Sequence, residues 1–560
     1  MEKFSQLKYV RPDVEALAQR VKDYAAALGA AGSYEETRAL LIRHKEDMAQ
    51  YATMRSVAHI RNTVDTRDSF YEEEMNFFHR EGPKLALVLR QANEALLASP
   101  YRGELEREYG ALYFHDLEVQ KQFADERIVD DQVRESQLTQ RYSKAAATAS
   151  ISFRGEECGF YRLLKYMQGT DRDLRRDAFR AWAELYSRLA PELDEIYDQL
   201  VHLRHGMAKK LGFASYTDMA YLQRRRYDYT PEDAARFRQQ IRETVTPACD
   251  RLYRRQAQRL GVEKLRYYDE ALTYPEGNPE PRGTREELVA KAQRMYREMS
   301  PETGAFFDCM VEHELFDLET KPGKRPGGYC TSLPAYRLPF IFSNFNGTSA
   351  DVDVLTHEAG HAFESYLAYQ ALPFGDMVFS TSEINEIHSM TMEHFAYPWM
   401  DLFFGGEAEK YRRAHLAGAL TVIPYMACVD EYQHRVYAAP DMTAMERREV
   451  WHELELAYMP WRDYDGSAFL EQGGFWMQKQ HIFLYPFYYI DYALAQMGAF
   501  EFYGRMKEDR SRAWADYCRL CRAGGSRGYF QLLELAGLSN PFRPGSVEKA
   551  VSGVLAELDI

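Results

Sequence analysis

Residues 349–373 read SADVDVLTHEAGHAFESYLAYQALP, and this stretch is the most informative part of the 560-residue chain. Its apolar residues recur with a period near 3.6, so it predicts an amphipathic helix. Pro373 and Gly375 follow the stretch and predict where that helix ends. His357 and His361 are four residues apart, which on a helix corresponds to about 40° of rotation and about 6 Å of rise. The two imidazoles therefore share one face of the predicted helix.

The segment His357-Glu358-Ala359-Gly360-His361 has the H-E-x-x-H order of zinc peptidases. Two imidazoles on one helix face can bind a single zinc ion, while the carboxylate of Glu358 reaches the water on that ion. The pattern is short, and a chain with 15 histidines can contain it by chance. The residues around it therefore decide whether it is a metal site.

A hydrolytic zinc ion needs a third protein ligand and one open position for water. The candidate ligands downstream are Glu364, Glu383, Glu386 and Glu393. Glu364 lies on the same predicted helix as the histidines and is poorly placed to complete the site from the other side. We therefore expect a second helix to supply the third ligand.

Residues 380–398, STSEINEIHSMTMEHFAYP, predict that second helix. Ser380 and Glu383 have the S-x-x-E spacing of a capping box, which predicts a structural role for Glu383. Glu386 lies one turn further into the helix, 25 residues after His361, and is the predicted third ligand. The alternative is that these acids form a solvated helix face, because charged stretches of sequence usually lie on the solvent-exposed side of a helix.

Several segments together resemble the oligoendopeptidase F branch of the thimet oligopeptidase superfamily. The segments nearest the predicted metal site are HEAGHAFE at 357–364, NEIHSM at 385–390, and Glu393. The likeness extends over most of the chain and includes GGYCTSLP at 327–334 and PFIFSNFNGT at 339–348, which resemble short β segments of the family.

The resemblance implies one Zn²⁺ per chain, bound by His357, His361 and Glu386, with Glu358 as the catalytic carboxylate. It implies short peptides as substrates. It also implies a mainly α fold, in which a large helical two-lobed body surrounds a substrate cleft and a small β-sheet lies next to the zinc helix.

The sequence departs from some other zinc peptidases at the acid that holds a zinc-binding histidine by a hydrogen bond. In some other zinc peptidases an acid four residues after the glutamate ligand holds one histidine, but here that residue is Met390. We therefore expect Asp353 or Glu393 to hold a zinc-binding imidazole by a hydrogen bond.

A second group of polar residues lies at 473–496, in GGFWMQKQHIFLYPFYYIDYALAQ. Its histidine and tyrosines resemble a cluster of the same family, with one residue fewer before the first tyrosine. We expect His481, Tyr489 and Tyr492 to donate hydrogen bonds to the oxyanion of peptide hydrolysis, because preplaced donors stabilise that charge. We expect Tyr485 and Tyr488 to contact the substrate. The alternative is core packing, which is common for aromatic residues at helical spacing in a chain with 40 tyrosines.

Composition and charge indicate the compartment and exclude some partners. The formal net charge of −15 argues against nucleic acid, because phosphate binding needs an electropositive surface. The N-terminus lacks the apolar core of a signal peptide and no stretch approaches the length of a membrane span, so we expect a cytoplasmic protein with no membrane partner.

The seven cysteines suggest no disulfide framework, and Cys518 and Cys521 are interpreted as two thiols on one helix face. The oligomeric state is not predicted.

The chain shows no low-complexity linker and no internal repeat. We therefore expect one continuous structural unit, with an N-terminal helical region at 1–200 and a catalytic region at 201–560. Strand-like sequence is concentrated at about 326–346. Backbone groups there, around Gly328 and Tyr329, are expected to pair with a peptide substrate as an added strand.

The residues and the resemblance predict a zinc metalloendopeptidase that cleaves internal bonds of short peptides. One alternative is a zinc carboxypeptidase or dipeptidase of related helical build, which a peptide blocked at both termini would distinguish. The other is a catalytically dead helical binding protein, which a measurement of bound zinc would distinguish.

Overall fold

The chain is mainly α-helical, as predicted, and carries two small β-sheets within residues 2–560, which the computed structural model describes. In chain order the helices are α1 (Val14–Ala30), α2 (Tyr34–Val64), α3 (Ser69–Leu97), α4 (Arg102–Tyr109), α5 (Ala111–Gln120), α6 (Val129–Thr148), α7 (Phe160–Tyr166), α8 (Arg172–Lys210), α9 (Tyr216–Gln223), α10 (Pro231–Gln240), α11 (Thr246–Leu260), α12 (Arg285–Met299), α13 (Pro301–Glu312), α14 (Ala350–Ala371), α15 (Ser382–Phe395), α16 (Met400–Phe404), α17 (Ala408–Thr421), α18 (Ile423–Ala438), α19 (Ala444–Tyr458), α20 (Ala468–Glu471), α21 (Gln480–Leu484), α22 (Tyr489–Ala523), α23 (Tyr529–Ala536) and α24 (Ser546–Glu557). The helix predicted from the H-E-x-x-H segment is α14, and it ends two residues before Pro373, as expected.

The strands form one hairpin and one three-stranded sheet. They are β1 (Ile151–Phe153), β2 (Glu156–Cys158), β3 (Phe316–Glu319), β4 (Tyr329–Leu333) and β5 (Leu338–Phe345). In the larger sheet, β5 lies between β3, to which it is parallel, and β4, to which it is antiparallel. The strand-like sequence at 326–346 therefore corresponds to β4 and β5, whereas β3 was not predicted.

The chain forms two compact units, each built from several segments. One compact unit comprises residues 1–124, 280–408 and 505–538, and the other comprises residues 125–279, 409–504 and 539–560. The predicted boundary at residue 200 falls inside the 39-residue helix α8. Each unit combines segments that are far apart in the chain, so no single boundary in the sequence separates the two units.

The connection between α14 and α15 is anchored in the core of its unit. Phe374 and Met377 belong to a buried apolar cluster with residues of α1 to α5. The carbonyl oxygen of Met377 accepts a hydrogen bond from the backbone N–H of Gly525 at 2.9 Å. A Cβ on Gly525 would lie only 2.3 Å from the carbonyl oxygen of Phe379, so this close approach requires glycine. The position of α15 beside α14 follows from these contacts.

Helix α15 begins differently from the prediction. Its N-cap is Thr381, which makes no side-chain capping hydrogen bond, so the predicted capping box of Ser380 and Glu383 is wrong. Asn385 instead accepts from the backbone N–H of Ser380 at 3.1 Å and donates to the Ser380 carbonyl at 3.4 Å. Glu383 is buried in the first turn, where the positive end of the helix dipole favours a carboxylate.

Cys518 and Cys521 are buried free thiols on α22. Every helix within residues 2–560 is too short or too polar to cross a bilayer.

Candidate metal centre

Helix α14 follows directly after the central strand β5. Asp351, in the first turn of α14, accepts hydrogen bonds from the backbone N–H groups of Asn346 and Gly347, both at 2.8 Å. Burial raises the pKa of Asp351, and these two bonds oppose the shift. They close the turn between β5 and α14 and so set the direction in which the helix leaves the sheet. Asp351 was not among the predicted site residues, although an acid in the first helical turn is a recognisable signal.

Gly360, inside the H-E-x-x-H segment, lies where α14 and α15 approach closely. A Cβ on Gly360 would lie 2.6 Å from the Cα of Ser389 and 2.7 Å from the carbonyl oxygen of His388. A real Cβ cannot occupy that space without moving one of the helices. The absence of a side chain at Gly360 therefore lets α15 approach closely enough to bring Glu386 to the two histidines.

Glu386 meets both histidines at one point. Its Oε2 lies 3.2 Å from the Nε2 of His357 and 3.4 Å from the Nε2 of His361. One ligand atom from each of the three residues lies within 4.8 Å of the other two, and no other group of metal-ligating side chains does so within residues 2–560. Two imidazole nitrogens and one carboxylate oxygen form the donor set of many catalytic zinc sites, so the residues fit one metal ion.

Glu393 holds the imidazole of His357 by a hydrogen bond at the Nδ1 atom of the ring. The Oε1 of Glu393 lies 2.6 Å from the Nδ1 of His357, which leaves Nε2 to face Glu386. Burial alone would lower the pKa of His357, but hydrogen bonds with Glu386 and Glu393 raise it well above its usual value. Burial alone would raise the pKa of Glu386, but the two histidines hold it well below its usual range. Ser389 Oγ also donates to Glu386 Oε2 at 3.0 Å.

Glu358 is buried beside this cluster, with 8% of its surface exposed. Burial raises the pKa of Glu358, and the charges of His357 and His361 oppose the shift. A Cβ on Gly328 would lie 3.4 Å from the Oε1 of Glu358, so the exposed backbone at residue 328 passes directly against this carboxylate. A carboxylate with a raised pKa is suited to accept a proton and then to release it.

Strand β4 is an edge of its sheet, since it pairs with β5 alone within residues 2–560. The side chain of Tyr329, at the start of β4, turns into the fold: its hydroxyl is 2.7 Å from Thr63 Oγ1 and its ring stacks on Phe342 at 4.7 Å. Asn344 Nδ2 donates to the carbonyl of Gly327 at 2.8 Å and fixes the chain just before the strand. With its side chain turned inward, Tyr329 presents its backbone groups at the edge of the sheet.

The other acids near the motif lie outside the ligand cluster. Asp353 lies one turn before His357 on α14, and its carbonyl accepts from Thr356 Oγ1 at 3.0 Å. The hydrogen bond to His357 that was expected from Asp353 or Glu393 is made by Glu393. Glu364 is buried, and burial raises its pKa well above the usual range.

The predicted histidine and tyrosine cluster is also brought together. The ring of His481 lies 4.9 Å from Tyr489, 5.7 Å from Tyr488, 6.1 Å from Tyr485 and 6.3 Å from Tyr492. Tyr489 is buried, with 8% of its surface exposed, whereas Tyr485 is 50% exposed. The cluster spans α21, the turn after it and the first turn of α22.

Buried charges hold the turn that carries these tyrosines. Asp491, in the first turn of α22, pairs with Arg224 and Arg226, each at 2.5 Å. Arg226 also donates to the carbonyl of Phe487 at 2.6 Å, and Phe487 has a φ of +61°. That conformation costs about 1–3 kcal/mol in a residue other than glycine, so the surrounding contacts must impose it. In the sequence the two arginines are only part of a short basic run, and nothing there predicts their pairing with Asp491.

Comparison with known proteins identifies the family of this chain. Residues 4–124 match the Peptidase M3 N-terminal domain, and residues 165–550 match Peptidase family M3. The chain belongs to peptidase family M3. An oligoendopeptidase F homolog from Borreliella burgdorferi is 23% identical over 382 residues, which cover 67% of this chain and 63% of that protein. The chain thus aligns with just under two thirds of that relative's length.

Solved structures of this family share the whole fold. PZ peptidase A, in a structure with an inhibitor, superposes with a TM-score of 0.95 and 43% identity, covering 100% of this chain and 99% of that chain. A protein provisionally assigned as an oligoendopeptidase F superposes with a TM-score of 0.95 and 45% identity, again with 100% and 99% coverage. The M3 family membership confirms the recognition of an oligoendopeptidase F-like chain and the prediction of a metalloendopeptidase.

Proposed function

We propose that this M3 family member is a zinc-dependent endopeptidase that hydrolyses internal bonds of short oligopeptides. The observation that carries the proposal is the convergence of His357, His361 and Glu386 within 4.8 Å, with the buried carboxylate of Glu358 beside them. The name of the Borreliella burgdorferi relative, an oligoendopeptidase F homolog, supports the substrate class.

The proposed zinc ligands are the Nε2 atoms of His357 and His361 and a carboxylate oxygen of Glu386. Glu393 fixes the ring of His357 so that its Nε2 remains for the metal. Zinc bound there would supply Lewis acidity, which polarises the scissile carbonyl and lowers the pKa of the attacking water. We propose one zinc ion per chain.

Glu358 is proposed to move the proton. Its carboxylate accepts a proton from the water whose oxygen attacks the scissile carbonyl carbon. It then releases that proton to the nitrogen of the leaving amine as the carbon–nitrogen bond breaks. Burial raises the pKa of Glu358, which makes its carboxylate a stronger proton acceptor in the first of these steps.

The remaining predicted residues are proposed to bind the substrate and its developing charge. The backbone at Gly328 and Tyr329 pairs with the peptide as an added strand on β4. His481, Tyr489 and Tyr492 donate hydrogen bonds to the anionic oxygen, and Tyr485 and Tyr488 contact the substrate. The family resemblance supports these roles, as does the clustering of the four tyrosines around the imidazole of His481.

A peptide of about ten residues, blocked at both termini and carrying an internally quenched fluorophore, tests the proposal. We expect cleavage at internal bonds, loss of cleavage after treatment with a chelator, and recovery with one equivalent of zinc. Cleavage only when a free terminus is present would favour a carboxypeptidase or dipeptidase. Protein purified without chelator and containing far less than one zinc per chain would contradict the proposal.

A further inference from the structure

Lys479 lies among the clustered tyrosines without an acidic partner. Its Nζ is 3.0 Å from the hydroxyl oxygen of Tyr489. The same ammonium lies 4.3 Å from the ring centroid of Tyr489 and 5.3 Å from that of Tyr425. No ion pair within residues 2–560 includes Lys479, so its positive charge is held by a phenol oxygen and two aromatic faces.

The hydrogen bond from Lys479 determines what the Tyr489 hydroxyl can do. An ammonium group can only donate, so the oxygen of Tyr489 must accept in this bond. The O–H of Tyr489 then points away from Lys479, and within residues 2–560 this hydroxyl makes no second hydrogen bond. A side chain that is nine-tenths buried therefore retains one unused donor.

We infer that Lys479 is a positioning residue for peptide hydrolysis that acts through Tyr489. By donating to the phenol oxygen, it orients the Tyr489 O–H as a donor before the substrate binds, so no reorganisation is needed as charge develops. A phenol that accepts from a cation is also a stronger donor, because consecutive hydrogen bonds polarise one another. This inference rests on the proposed role of Tyr489 as a donor to the anionic oxygen.

The neighbouring residue provides a matched control. Gln478 donates to the hydroxyl of Tyr425 as Lys479 does to that of Tyr489, but Gln478 carries no charge and Tyr425 has no proposed role in hydrolysis. Lys479→Met removes the ammonium and keeps most of the side-chain volume. Gln478→Met makes the corresponding change one residue earlier in the same turn.

The test is a double-mutant cycle on the zinc-loaded full chain, with kcat and KM measured on the doubly blocked peptide. We expect Lys479→Met to lower kcat about 10-fold with KM changed less than about 2-fold. We expect Tyr489→Phe to lower kcat about 10²-fold, the lower end for loss of one oxyanion donor. The double variant should match Tyr489→Phe alone, because Lys479 has no function once the hydroxyl is gone. Lys479→Arg should recover most of the lost kcat, and Gln478→Met should resemble the wild type.

A binding measurement gives a second readout. A phosphinic peptide carries a tetrahedral anionic group that imitates the transition state. Lys479→Met should weaken its binding about 10-fold, with zinc content and melting temperature close to those of the wild type.

Each contrary result overturns a different statement. Wild-type kcat in Lys479→Met, or a loss confined to KM, would refute the positioning role. Losses that multiply in the double variant would show that Lys479 acts on the substrate directly, and an equal loss in Gln478→Met would show a general disturbance of the turn. Wild-type kcat in Tyr489→Phe would remove the proposed donor itself and the inference with it.

Discussion

Glu358 and Glu386 are both buried carboxylates close to the same two histidines, yet their pKa values shift in opposite directions. Burial dominates at Glu358 and raises its pKa, whereas the imidazoles dominate at Glu386 and hold its pKa low. The difference follows from contact: Glu386 Oε2 lies within 3.4 Å of both Nε2 atoms. A lowered pKa favours the charged form that binds a metal, and a raised pKa favours the protonated form that a proton carrier must be able to adopt.

Replacing Glu358 by glutamine separates these two roles. Glu358→Gln should retain zinc and the native melting temperature but lower kcat about 10²–10⁴-fold, the usual range for a positioned general base. Zinc content by atomic emission and kcat on the blocked peptide are the measurements. Near-normal turnover in this variant would remove Glu358 from the mechanism.

An isosteric pair of variants tests the ligand assignment on α15. Glu386→Gln should weaken zinc binding at least about 10-fold, because an amide oxygen replaces a charged ligand. Glu383→Gln, three residues earlier and equally buried, should keep its zinc. Competition with a fluorescent chelator measures both affinities. Zinc affinity that depended on Glu383 and not on Glu386 would show that the wrong glutamate was chosen.

At the scale of elements, the contact between α14 and α15 determines whether the ligands meet. Gly360→Ala places a Cβ where the Ser389 Cα lies 2.6 Å away, so the helices must separate. We expect a loss of about 1–3 kcal/mol in the free energy of unfolding, as for other overpacked sites. We also expect a loss of about 10-fold or more in zinc affinity, because Glu386 moves with α15.

The control for that variant is a helical glycine in the same unit with open space around it. A Cβ on Gly82 of α3 would meet nothing within 4 Å beyond its own stretch of helix, and alanine there removes backbone freedom from the unfolded chain. Gly82→Ala should leave zinc affinity unchanged and stability equal or slightly higher. Equal zinc affinities in the Gly82 and Gly360 variants would contradict the proposed role of the helix contact.

At the scale of the whole molecule, a buried neutral histidine links stability to pH. His44 on α2 stacks on Tyr24 of α1 at 4.3 Å, and burial, with the charge of Lys45, lowers its pKa to about 4. In the unfolded chain its pKa is about 6.5, so between pH 6.5 and 4 the unfolded state binds more protons than the folded state. Stability from this group is therefore present above pH 6.5 and is lost as the pH falls, by up to about 3 kcal/mol.

Urea unfolding at about pH 7 and about pH 4.5 measures this effect. His44→Phe keeps an aromatic ring against Tyr24 but cannot be protonated, so its stability should fall less on acidification than that of the wild type. An identical fall in both proteins would mean that His44 does not contribute to acid unfolding.

Features that depend on local geometry could be predicted from the order of the amino acids. The period of 3.6 and the spacing of four residues predicted α14 and the shared face of His357 and His361, because helix geometry depends only on neighbouring residues. The spacing of the acids predicted that Glu386 lies on the next helix, and the family motifs predicted an M3-type metallopeptidase. The candidate roles of the individual site residues remain predictions that the variants test.

Contacts between distant residues could not be predicted in this way and are known from the folded chain. The Gly360 contact joins the backbones of two helices, and the hydrogen bonds between Glu393 and His357 and between Lys479 and Tyr489 join side chains of different elements. No local pattern encodes this packing. The two compact units likewise combine segments that lie far apart in the sequence. The start of α15 differs from the prediction for a local reason, because Asn385 bonds the backbone of Ser380 in place of the predicted capping box. The pKa shifts also depend on the tertiary structure. The direction of each shift is set by the water and the charges that the folded chain leaves around the group.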